Sequence, residues 1–155
     1  MATIFRADRC AFTKVPSLIR SAKAYEEIDN GVPVELDGLA DGQREIFSSK
    51  AVSDSSKDFW IVTTPELMYD ETPRKYLEDF INKKDSTMRV CKLLKGDIFS
   101  ITGDKITGTP DLKTSDGLAP AVGGWTSSAS ADTDFAKLIA VENVAGKTIY
   151  VYEVL

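Results

Sequence analysis

Alternation of apolar and polar side chains dominates this chain, and its period is that of β-strands. After the turn signal Asp29-Asn30-Gly31, the run Val32-Pro33-Val34-Glu35-Leu36 predicts a short strand, closed by Asp37-Gly38. Pro33 lacks a backbone donor, so this strand is expected at a sheet edge or beside a bulge. The polar stretch 48–57 predicts a loop. Phe59-Trp60-Ile61-Val62 is apolar at every position and predicts a buried strand, bounded by Thr63-Thr64-Pro65.

One helix is expected next. Thr72 suits an N-cap and Pro73 the first helical position, while Tyr76, Leu77, Phe80 and Ile81 form an apolar stripe at spacings of three and four. The helix should end near Asn82-Lys83-Lys84, where lysines complement its dipole. Strands follow at Met88 to Leu94, Ile98 to Thr102, Leu138 to Val141 and Thr148 to Val154, with a turn into Lys105-Ile106-Thr107. The expected fold class is α+β and mainly β, a small antiparallel β-barrel or sandwich with one short helix.

Periodicity fails across residues 107–134, where Gly108, Pro110, Gly117, Pro120, Gly123 and Gly124 alternate with Ser and Thr. A long irregular loop is expected there, of the kind that binds partners or moves. Trp125 and the apolar Leu118-Ala119-Pro120-Ala121-Val122 oppose full disorder. Trp125 is expected either to anchor an interface or to fold back onto the protein's own core. A single domain spanning residues 1–155 accommodates all of these elements.

Composition narrows the chemistry. The chain has 155 residues, 43% hydrophobic and 28% charged, which suits one soluble globular domain able to hold a core without metal or disulfide staples. Its formal charge of −5 disfavours nucleic acid and membrane surfaces as partners. Histidine is absent altogether, so Ser-His-Asp, Cys-His and His-ligated metal sites cannot be built from this chain. Cys10 and Cys91 read as free thiols in a reducing cytosol. The residues after Met1 show no apolar leader, which predicts a protein that works where it is made.

Motifs for catalysis or cofactors are equally lacking. Gly146-Lys147-Thr148 has Val141 where a phosphate-binding loop needs glycine. No Gly-x-Ser-x-Gly elbow occurs, and no serine has lysine three residues on. The segment from Asp37 to Gly42 lacks the third-position ligand and terminal Glu of a calcium loop. Carboxylates at Glu66, Asp70, Glu71, Glu78 and Asp79 fit the acidic start of a helix better than a glycosidase pair. No catalytic residue, cofactor or metal is expected.

The run Asp58 to Phe80, with Phe59-Trp60-Ile61-Val62-Thr63-Thr64-Pro65-Glu66-Leu67-Met68-Tyr69-Asp70-Glu71 and Leu77-Glu78-Asp79-Phe80, resembles small head decoration, or cement, proteins of tailed phages of Gram-positive bacteria. Lys95 to Thr102, Asn30-Gly31 and the closing aromatic strand share the resemblance. It implies a non-enzymatic virion protein, made in the bacterial cytoplasm, that binds the outside of the assembled capsid and stabilises it through many modest contacts. The implied partner is the major capsid protein, with a homo-oligomer, a trimer before a monomer, as the implied state. A tail or head-completion protein and a cytosolic small-ligand binding module are the alternatives.

Two segments are candidates for the capsid interface. Thr3, Ile4, Phe5 and Arg6 form a strand-like terminus able to pair with a sheet edge of the shell, or alternatively to close the protein's own sheet. Leu118 and Trp125 are the candidates within residues 107–134.

Overall fold

A computed structural model of the chain describes residues 3–53, 58–66, 80–128 and 134–155. These residues are mostly β-strand, arranged as a closed five-stranded barrel packed against a seven-stranded sheet. The barrel comprises β2 (Ile19–Lys23), β3 (Pro33–Leu39), β4 (Ile46–Ala51), β5 (Trp60–Val62) and β6 (Thr87–Cys91), in the order β2-β4-β3-β5-β6. The sheet runs β1 (Phe5–Arg9), β7 (Ile98–Thr102), β12 (Lys147–Val154), β11 (Ala136–Val144), β9 (Gly117–Ala121), β10 (Gly124–Ser128) and β8 (Ile106–Thr107). All pairings are antiparallel except β2 with β4 and β8 with β10.

Strand β5 explains how barrel and sheet share a core. All three of its residues are buried. Alternation sends Trp60 and Val62 into the barrel, beside Ala22, Val34, Met88 and Val90. Ile61 points the other way, into a second cluster with Phe99, Ile101, Leu118, Trp125, Leu138 and Tyr152 from the sheet. A strand apolar at every position is therefore one covered on both faces. The barrel interior is filled by side chains, as its small strand number requires.

Trp125 locks the two parts together. Its indole Nε1 donates to the Gly31 carbonyl at 2.7 Å, at the turn that enters β3. Its ring stacks on Phe135 at 5.9 Å and meets Phe59 edge-on at 5.8 Å. Gly31 takes φ +84°, and a side chain there would meet Ile101 and Phe5. Nearby, Lys105 and Asp29 form an ion pair at 3.0 Å. Below the barrel, Asn30 donates to Thr64 O at 2.8 Å and Asn82 to Ile28 O at 2.9 Å, tying the loops together.

Several sequence expectations need correction. Residues 107–134 do not form one irregular loop: β9 and β10 make a hairpin there, joined through Val122-Gly123. Its glycines misled because Gly117 and Gly124 sit inside strands, where neighbours leave no room for a Cβ. The expected polar loop begins instead with β4, whose Ser49 hydroxyl donates to Lys23 O at 2.5 Å. Strand β3 is no edge: it pairs with both β4 and β5, and Pro33 is tolerated as its first residue. Strand β2 was not anticipated. Most of the expected helix, from Thr72 through residue 79, lies outside the described residues; at its expected end Asn82 instead makes a bridge with Ile28.

Both cysteines are buried and unpaired. Burial pushes each thiol up to about 12, and the Asp97 carboxylate adds to the effect at Cys10. At about pH 8 such a thiol is ionised roughly once in ten thousand molecules, against about a quarter for an ordinary one. Iodoacetamide should therefore leave both untouched in the native protein and modify both in denaturant, as intact mass will show. Rapid native labelling of either would contradict the buried placement.

Candidate docking surface

The terminal segment turns inward. Strand β1 pairs with β7 of its own sheet, Phe5 opposite Ile101 and Arg6 opposite Ser100. Thr3 is buried, and Ile4 is pinned by reciprocal bonds with Thr102, both at 3.1 Å. Phe5 stacks on Phe99 with ring centres 5.7 Å apart. The segment thus closes the protein's own sheet, the second of the two expected placements, with Phe5 packed against the core and the other edge of β1 left unpaired among the described residues. Arg6 is exposed, and reaches Asp8 at 2.5 Å and Glu142 at 3.1 Å. Those two carboxylates, Glu142 foremost, raise the guanidinium pKa above its ordinary value.

Leu118 and Trp125 lie in the protein's own core, which is the second placement expected for Trp125. They are 0% and 1% exposed, because β9 and β10 lay their apolar side over the barrel. Neither can meet a partner without unfolding the hairpin. The six residues singled out from sequence thus form no common surface; Arg6 alone faces solvent.

What the fold does expose is the far half of the β11–β12 hairpin. Strand β12 pairs with β7 only as far as Ile149 opposite Thr102, and β11 pairs with β9 only at Ala136 and Lys137. Beyond those points the two strands run on together to Val144 opposite Lys147. The hairpin therefore projects past the described strands that flank it. Ala145 and Gly146 close it with φ of 52° and 79°, the two positive values of a type I′ turn. Holding a non-glycine residue there costs about 1 kcal/mol.

Apolar side chains are exposed along β11, Val144 on the projecting part and Ile139 and Val141 at its base. Ile139, Val141 and Val144 are 37%, 42% and 45% exposed. Ile139 is the extra residue of a bulge between Leu138 and Ala140, which bends the strand and increases its twist. The Arg6–Glu142 ion pair braces the hairpin back onto β1 across the intervening strands. Among the described residues β1 and the outer half of β11 have one side unpaired, leaving backbone donors and acceptors for a partner strand. The sequence alone predicts the opposite, since Leu138 to Val141 is apolar without alternation and reads as a strand covered on both faces; the exposure arises because the flanking pairings stop.

A cleft of about 440 Å³ lies between β1 and the barrel, lined by Phe5, Ala7, Phe12, Thr63 and Arg89 among others. Arg89 is committed there, its Nε donating to Thr63 O at 3.0 Å. Among the described residues no group of carboxylates, cysteines or histidines is arranged to hold a metal. No helix among them is long and apolar enough to cross a membrane. Chemically, the arrangement offers shape, apolar contact and strand edges. Comparison with protein-family models, with curated proteins and with solved structures finds no match.

Proposed function

We propose that this chain is a structural protein of a tailed-phage virion, binding the outer surface of the assembled capsid and stabilising it without catalysis. The resemblance of Asp58 to Phe80 and Lys95 to Thr102 to head decoration proteins motivates the reading. The observation that carries it is the projecting hairpin, which sets Val144 on a two-stranded arm and leaves Val141 exposed at its base, where the arm joins the sheet. Exposed apolar side chains on a stiff arm are suited to a crevice between protein subunits, since little conformational freedom is lost on docking. Repetition over a lattice then multiplies a modest contact. The major capsid protein is the proposed partner.

Co-sedimentation with undecorated capsids tests this. Wild-type protein should pellet at micromolar concentration, and a Val141→Lys, Val144→Glu variant should bind on the order of 30-fold more weakly, about 2 kcal/mol. Both side chains are exposed, so the variant should keep the native circular dichroism spectrum. Wild-type protein left in the supernatant, or a variant that pellets equally well, would sink the proposal.

A further inference from the structure

Arg20 on β2 belongs to the barrel, away from the hairpin. It shares a strand face with Ala22, which lies in the barrel interior, yet Arg20 itself is exposed. Its guanidinium carbon lies 4.7 Å from the centre of the Phe47 ring and 4.6 Å from that of Trp60. Trp60 is buried and Phe47 half-buried, so both rings are fixed by the barrel. The guanidinium thus lies over two aromatic rings of the barrel, within cation–π distance of each.

Its charge is otherwise uncommitted. Among the described residues the Arg20 guanidinium makes no ion pair and no hydrogen bond. The neighbouring carboxylate, Asp58, is engaged by Lys92, whose bond and charge hold it below the usual carboxylate range, with a smaller effect from Arg20. Lys92 also sits over Trp60, 5.5 Å from the ring centre. A guanidinium carries five N–H donors in one plane. Contact with two rings restrains the guanidinium, and its N–H donors make no side-chain bond among the described residues, so they are open to a carboxylate that accepts two parallel bonds.

We infer that Arg20, held against the rings of Phe47 and Trp60, anchors an aspartate or glutamate side chain of the protein partner. This rests on the docking function proposed above and supplies a second contact, on a different element from the hairpin. Charge selects a protein carboxylate over a nucleic-acid backbone: a chain of net charge −5 repels a dense polyanion, whereas one carboxylate on a protein surface meets only the local cation.

Two measurements test it. In the first, hexaglutamate is titrated at low salt while the Arg20 Nε–H resonance is followed by NMR, with hexaglutamine and inorganic phosphate as comparisons. Hexaglutamate should shift that resonance, hexaglutamine should not, and Arg20→Lys should bind about tenfold more weakly because the planar fork is lost. No shift, equal binding by Arg20→Gln, or an equal response to phosphate would overturn the inference. In the second, Arg20→Gln and Arg20→Lys are co-sedimented with capsids, circular dichroism confirming their fold, and each should pellet at least about tenfold less well than wild type. If wild type pellets and both variants match it, the inference fails while the docking function stands. If wild type does not pellet, the docking function fails, and the NMR titration still reports on Arg20.

Discussion

Trp125→Ala should cost about 3–5 kcal/mol, the range for deleting a large buried aromatic, and more if the Gly31 carbonyl is left without a donor. Stability for a domain of this kind is typically about 5–15 kcal/mol, so the variant should be close to unfolding. The indole is 1% exposed and packs against Phe59, Phe99 and Phe135. Its one polar atom donates across the junction to Gly31 O at 2.7 Å. Trp125→Phe separates the two contributions, keeping most of the ring contacts while removing the donor. It should cost about 1–3 kcal/mol. Urea denaturation followed by circular dichroism measures both. A loss below about 1 kcal/mol for the alanine variant would mean that Trp125 does not hold barrel to sheet. Hydrogen exchange offers a second view, with amides of β9 and β10 expected to be protected in the isolated protein.

Gly124→Ala should destabilise by roughly 2–3 kcal/mol, an overpacking effect with no relief available. A Cβ built at Gly124 lies 2.4 Å from the Lys105 carbonyl oxygen, and that oxygen is backbone, in the turn that leads into β8. Relief would require β8 and β10 to move apart, and Trp125 is the next residue, opposite Ile106. Gly123→Ala is the matched control. Gly123 has φ +72° and nothing within 4 Å of a built Cβ, so its variant bears only the backbone cost of about 1–2 kcal/mol. Thermal or urea unfolding of the pair should rank Gly124→Ala as the worse. The reverse order would show that β8 and β10 are not packed this closely.

These two residues also mark where sequence reasoning stopped. Gly123 and Gly124 look alike in the chain, as turn formers in a glycine-rich stretch. One is a turn residue, and the other is a point of close approach between elements 19 positions apart, numbers 124 and 105. Close approach belongs to a pair of segments, so no single segment announces it. The same holds for Trp125: its size and one polar atom promised an anchor, but whether for another protein or for this one depended on what lay opposite. Gly31 and Phe59 lay opposite.

Legibility was best where one strand's own pattern decides its environment. Trp60–Val62 is apolar at every position and Ile98–Thr102 carries only small hydroxyl side chains besides its apolar ones, and both are almost wholly buried. It was poorest for β2 and β4, whose serines and lysines face outward from a barrel that only closure reveals. For the docking surface, only Phe5 and Arg6 of the expected terminal strand lie in β1, which runs on to Arg9, and β7 of the same chain is its partner. Ile139 and Val141 read as ordinary strand residues and Val144 as part of the connecting turn, because exposure depends on where the neighbouring strands stop.

By itself, then, the order of residues determined local matters: a mainly β chain, most strand positions, the turns, and the lack of histidine-based chemistry. These follow from side-chain period, backbone preference and composition, which act within a few residues. The tertiary structure alone decided that β2 to β6 close into a barrel, that the 107–134 stretch folds onto it through Trp125, and that the hairpin tip and Arg20 are what face outward. Those outcomes turn on pairing between distant segments, where strand lengths and space for a side chain are settled jointly.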